Sequence, residues 1–187
     1  MRKIFLILLF TAAEMCVYAQ KRKITFRSIN AVEYLIGQNA DGWGFQSVNG
    51  IAWKNYFTGI GMGTDYYPYN SYPIFFDQRI YIGKKRSLFG YGNLGYNFND
   101  KKNKPGKEIY YYSSYHFRGG VYTDIGIGMR IPLKKNNFIT FSGGFSYKEI
   151  YIKTTSINEC LVAPCTVDYN NYQYANGRVT LKAGIDF

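Results

Sequence analysis

From Gly177 to Phe187 the chain alternates without a break. Val179, Leu181, Ala183, Ile185 and Phe187 fall on one face of an extended segment, and Arg178, Thr180, Lys182, Gly184 and Asp186 on the other. The same period of two recurs upstream. Val121, Thr123, Ile125, Ile127, Met129 and Ile131 oppose Tyr122, Asp124, Gly126, Gly128 and Arg130. Ile139, Phe141, Phe145 and Tyr147 oppose Thr140, Ser142, Gly144, Ser146 and Lys148. Between Tyr56 and Tyr66, Gly59, Gly61 and Gly63 share a face with Asp65, while Thr58, Ile60, Met62 and Thr64 take the other. The pattern predicts strands of which one face is apolar.

Eight such strands can be marked out. They are Ile24 to Ile36, with a bulge expected near Ser28 to Asn30; Trp43 to Trp53; Tyr56 to Tyr66; a fourth carrying Ile74, Phe76, Ile80 and Ile82 against Asp77, Arg79 and Gly83; Leu88 to Phe98; Val121 to Ile131; Phe138 to Ile152; and Gly177 to Phe187. Lys54-Asn55 has hairpin length, and Lys84 to Ser87 and Lys134 to Asn137 are also short. Tyr67 to Pro73 is a loop by its prolines. Asn99 to His116 and Lys153 to Tyr174 are expected to be long loops. If the first strand rises, the connections at Lys54, Lys84 and Lys134 fall at one end and both long loops at the other. The expected fold is all-β: an eight-stranded antiparallel up-and-down barrel.

Alternation alone does not say which face is inside. The glycines argue that the polar face is inside, because an eight-stranded interior has room for little beyond its own side chains. Asp77, Arg79, Asp124, Arg130, Lys148, Lys182 and Asp186 should then pair inside the barrel, since an unpaired charge there is costly. The aromatics gather at two levels. Trp53, Tyr56, Phe57, Phe89, Phe138 and Phe187 lie near the short-turn end, and Trp43, Tyr66, Tyr67, Phe98, Tyr151 and Tyr174 near the other, as two girdles would.

Composition sharpens this. With 20 Tyr, 14 Phe and 20 Gly in 187 residues, strands are favoured over helices. Mean hydropathy is −0.26, and past the first dozen residues no apolar run approaches the ~20 residues of a spanning helix. Arg2 and Lys3, the apolar Ile4 to Ala13 and the small residue of Val17-Tyr18-Ala19 have the order of an export signal over 1–19, leaving 20–187 as one domain. In an oxidising compartment Cys160 and Cys165 are expected to close a small disulfide loop, free thiols being the alternative. One histidine and two cysteines do not supply a metal site, and no cofactor is expected. The net charge of +11 would meet lipid phosphates before any nucleic acid.

Several motifs carry a resemblance. Ser47-Val48-Asn49-Gly50, the glycines of Gly59 to Gly63 with Asp65-Tyr66-Tyr67, Pro73 to Arg79, and Gly119-Gly120 before Gly126 and Gly128 resemble the PorT-like outer membrane β-barrel domain family of Gram-negative bacteria. The closing strand with its terminal Phe187 is similar to the strand that the outer-membrane insertion machinery reads. The resemblance implies a fold and a location, the outer membrane, with both mature termini in the periplasm. The expected role is that of a small, monomeric, non-enzymatic barrel with a filled lumen, structural in the envelope or presenting surface loops, in contact with outer-membrane lipid and lipopolysaccharide. Candidate contacts are Lys101, Lys102, Lys104, Lys107, Tyr110, Tyr111 and Tyr112 in the basic, Tyr-rich loop. The alternatives are a loop-based adhesin or ligand-binding protein, or a lipid A-modifying enzyme using His116 with Ser113, Ser114 and Glu108.

Overall fold

The computed structural model describes residues 24–38, 40–83, 85–100, 113–133, 137–157 and 167–187. Every regular element among them is a strand: β1 (Ile24–Gly37), β2 (Asp41–Trp53), β3 (Tyr56–Asp65), β4 (Ser71–Ile82), β5 (Leu88–Asn99), β6 (Ser113–Pro132), β7 (Phe138–Ile157) and β8 (Val167–Asp186). Each pairs antiparallel with the next, and β8 returns to β1 to close a barrel. This is the eight-stranded up-and-down architecture that the alternation implies.

The seam runs from Ile29↔Asp186 to Gly37↔Arg178. Beyond it, the amide of Ser28 donates to the Phe187 carbonyl and the amide of Phe187 to the Ser28 carbonyl, both at 3.0 Å. Closure leaves no open sheet edge along this stretch, so backbone groups there need no solvent partner. At the Lys54-Asn55 turn, Trp53 pairs with Tyr56 and Lys54 takes a left-handed φ of 52°. Such a conformation suits the tight return that a two-residue hairpin demands.

Three expectations about the elements are corrected. The expected bulge in β1 is absent: its register to β2 is continuous from Ile24↔Trp53 to Ile36↔Asp41. The alternation is blurred there because Ser28 and Asn30 face outward and hydrogen-bond each other at 3.3 Å, while Ile29 and Leu35 are buried inward. A register shift falls instead in β6, between Gly119 and Tyr122. The described parts of the expected long loops are strand: Ser113 to His116 lie on β6, Lys153 to Ile157 on β7 and Val167 to Tyr174 on β8, each of which runs to 20 residues against 10 for β3. Their added length is polar and Tyr- or Thr-rich, which suits a ladder but carries no apolar face to betray it. Finally, β4 begins at Ser71 and takes in Pro73. Pro73 has no N–H to donate, and the β3 ladder lapses between Met62↔Ile74 and Asp65↔Ser71.

The apolar side chains face outward. Ile125, Ile127, Leu181 and Ile185 are 67%, 75%, 51% and 46% exposed, while the opposite faces are buried. Two members of the outward belt, Gln78 and Thr58, hydrogen-bond each other at 2.7 Å across β3 and β4. The girdles are thinner than expected. Trp53, Tyr56 and Phe187 face out at one end and Trp43, Tyr66, Phe98, Tyr151 and Tyr174 at the other. Phe57, Phe89 and Tyr67 point inward and are buried, and Phe138 lies beneath the inward guanidinium groups of Arg27 and Arg130. Phe57 shares the parity of Gly59 to Asp65, so a strand with those residues inside cannot place it outside.

Candidate functional site

The interior is built in three tiers. Nearest the short turns, Arg27 holds Asp186 at 2.7 Å, with Arg130 at 3.8 Å from the same carboxylate. Arg130 also stacks on Tyr81 at 3.9 Å and on Phe138 at 4.2 Å. Just above, Arg79 chelates Asp77 through Nε and Nη2, both at 2.9 Å. Its guanidinium lies 5.4 Å from the Phe89 ring centroid and 5.8 Å from that of Phe57. A planar cation suits such a place, because its faces accept aromatic contact while its edge satisfies a carboxylate.

The middle tier is carried by β5, β6, β8, β1 and β2. Lys182 pairs with Asp124, Tyr91 donates to Asp124 at 3.1 Å, and Gln46 donates to Glu33. The upper tier centres on Asp65, which takes Lys148 at 3.1 Å and Arg178 at 2.5 Å. Lys148 donates further to Ser71 at 2.8 Å, and Arg178 to Ser146 at 3.2 Å. All three charged side chains of this tier are 0% exposed. Among the described residues, five inward carboxylates (Glu33, Asp65, Asp77, Asp124, Asp186) thus meet six inward cations (Arg27, Arg79, Arg130, Lys148, Arg178, Lys182).

Rings separate the tiers. Phe75 packs on Tyr122 at 5.4 Å and Tyr81 on Phe89 at 6.0 Å, within a buried cluster that includes Ile29, Val48 and Phe57. The facing glycines make this possible. A Cβ at Gly61 would come within 2.4 Å of the Phe75 ring, and one at Gly128 within 2.4 Å of Phe89. Ring and glycine are thus complementary halves of one packing unit.

The seven charges singled out from the sequence all face this interior, in three separate groups. The organising members of the network were not among them. Asp65 and Arg178 sat in plain view on the polar faces of their strands, and parity alone would have added them. Glu33 and Arg27 were hidden by the blurred alternation of β1; counting back in twos from Leu35 finds both. Cys160, Cys165, Lys101, Lys102, Lys104, Lys107, Tyr110, Tyr111, Tyr112 and Glu108 lie outside the described residues, as does the export signal. His116, expected in a loop, is on β6 opposite Lys153 and exposed; Ser113 and Ser114 pair with Ser156 and Thr155 on the same ladder.

The chain is therefore a closed eight-stranded β-barrel with an apolar outer belt and a charge-paired, ring-packed interior. No protein-family model matches it, and no curated protein matches it. It is similar in structure to the outer membrane protein AlkL, solved by solid-state NMR in DMPC lipid bilayers, at 11% identity and TM-score 0.47 over 88% of this chain and 87% of that one. It is also similar to the crystal structure of the outer membrane protein OprG from Pseudomonas aeruginosa, at 12% identity and TM-score 0.43 over 86% of this chain and 93% of that one. At such identities the likeness is one of fold.

Proposed function

We propose that this protein is a small outer-membrane β-barrel of the PorT-like kind, inserted with its short turns and both mature termini in the periplasm. Its lumen is plugged by its own side chains, and its role is in the envelope or at the cell surface, without catalysis and without passage of solutes. The observation that carries this reading is the inverted polarity of the wall. Isoleucines and leucines stand exposed on the outside while eleven charged groups are turned inward. In water that arrangement would be unfavourable by roughly 25 cal/mol for each Å² of apolar belt left wet. In a bilayer the belt is solvated by lipid, and the closed ladder satisfies the backbone. Phe187 faces outward at the seam beside Ser28.

The long β6 to β8 ladder supports a surface role over a purely structural one. It lifts exposed Tyr169 and Tyr172 beyond the belt on paired strands, a more rigid platform than a loop would give. Reconstitution into planar bilayers tests the plugged lumen. The purified barrel should give no resolved single-channel steps, and the cell fraction holding it should release it only to detergent. Large, regular conductance steps from the wild-type protein would overturn the non-conducting reading.

A further inference from the structure

Ser28, Asn30, Ser47, Asn49, Thr58 and Gln78 interrupt the apolar outer wall on four consecutive strands. On β2 the outward residues run Trp43, Phe45, Ser47, Asn49, Ile51 and Trp53, so the two polar ones lie midway between the tryptophans of the two girdles. Their partners in register on β1 are Asn30 and Ser28. Thr58 and Gln78 face each other across β3 and β4.

Strand tilt brings all six to one depth. Followed around the wall, the register runs from Phe26 through Ile51, Thr58 and Gln78 to Val179 and returns to β1 at Ile36, ten residues nearer the outer end. A fixed depth therefore shifts toward the short turns by a little over one residue at each strand crossed. Thr58 and Gln78, whose row starts two residues below Ser28, are raised by this to the level of Ser28 and Asn30. At that level the other half of the wall presents Gly90, Ile127, Met129, Phe141 and Ile185, with no polar side chain among them. The polar band belongs to one face of the barrel.

Hydrocarbon offers a polar side chain no hydrogen bond, and leaving one unpaired there is costly. Part of the band is satisfied within the chain: Asn30 donates to Ser28 at 3.3 Å and Gln78 to Thr58 at 2.7 Å. Ser47 and Asn49 make no side-chain hydrogen bond with another described residue, and Asn49 is exposed. An amide is donor and acceptor at once and carries no charge, so two such surfaces complement each other without repulsion. A second copy inserted the same way necessarily presents its amides at this depth, because a two-fold axis along the membrane normal leaves depth unchanged. Phe45, Ile51 and Ile60, exposed beside Asn49, supply apolar contact around the amides.

We propose that the β1 to β4 face packs against the same face of a second copy, with Asn49 and its neighbours exchanging hydrogen bonds across a two-fold axis. The protein is then a dimer in the membrane, in place of the monomer expected from the sequence. The inference rests on the outer-membrane reading above, and goes beyond it by assigning a partner and the surface that meets it.

The test reconstitutes two separately fluorophore-labelled preparations of the folded, full-length protein together in phosphatidylcholine vesicles and reads energy transfer against protein-to-lipid ratio. Wild type should show saturable transfer. Asn49→Leu, which removes an amide from each copy, should weaken association roughly tenfold through the loss of two symmetric hydrogen bonds. Asn49→Gln, which keeps an amide, should retain most of it. Ile127→Ala, at the same depth on the opposite face, should leave association unchanged. Unheated gel mobility confirms that each variant is folded. Wild-type transfer no greater than chance proximity at every ratio would overturn the second copy and leave the band to a different membrane-spanning partner. Saturable transfer that Ile127→Ala abolishes and Asn49→Leu does not would overturn this face as the interface. A chain that does not float with the vesicles at all would instead sink the outer-membrane reading, and the inference with it.

Discussion

Asp65 shows what one residue contributes to this barrel. It lies between Lys148 and Arg178 with nothing of any of the three exposed, and Lys148 reaches it only because β7 and β8 pass on one side of the lumen and β3 on the other. A buried pair adds little net stability over an apolar core, but removing one partner leaves an uncompensated charge, at about 3–5 kcal/mol. Asp65→Asn should therefore lower stability by about that much in urea titration of the folded, fast-migrating gel band. Adding Lys148→Met should restore part of the loss by removing one stranded cation. A midpoint for Asp65→Asn within error of wild type would show that the upper tier is wet. This residue was legible in the sequence as the polar end of a glycine face. Its two partners were not, because sequence order says nothing about which strands meet across a lumen.

At the scale of elements, the bulged strand β6 is the point where belt and rim part company. Below the shift, odd-numbered residues such as Val121 and Ile125 face out; above it, Arg118 does. The glycine at the shift is held against the Asn97 carbonyl, so Gly119→Ala should cost about 1–3 kcal/mol by overpacking. Gly92, on β5, supplies the control: a Cβ there would meet nothing within 4 Å, and Gly92→Ala should leave the urea midpoint unchanged. Equal effects from the two would mean that the shift is not fixed by Gly119. The Gly119-Gly120 pair was visible in the sequence as a motif. That it breaks the register, and that strand continues above it through His116, was not visible, because the signal used to find strands is an apolar face and the rim has none.

For the whole molecule, the decisive property is which solvent meets the outside. Ile127 lies mid-belt and is 75% exposed, whereas Ile131 lies one residue from the end of β6. In a bilayer, arginine at mid-depth on the lipid face costs about 2–4 kcal/mol and near the interface about 0–1. Ile127→Arg should accordingly depress folding into vesicles far more than Ile131→Arg, as measured by denaturant titration. In a barrel that works in water the two would be alike and small. That contrast tests the membrane reading without reference to any ligand.

The sequence by itself determined the number of strands, their parity and the sorting of short and long connections, because a period of two and a turn residue are local properties. It also placed the charges on the face that carries the glycines. Only the tertiary structure decided which charges meet, that three supposed girdle rings lie within the barrel, and that the chain shifts register beside Gly119. Those outcomes depend on the stagger of eight strands around a closed wall, which sets what lies opposite each side chain, and no stretch of chain contains that information alone.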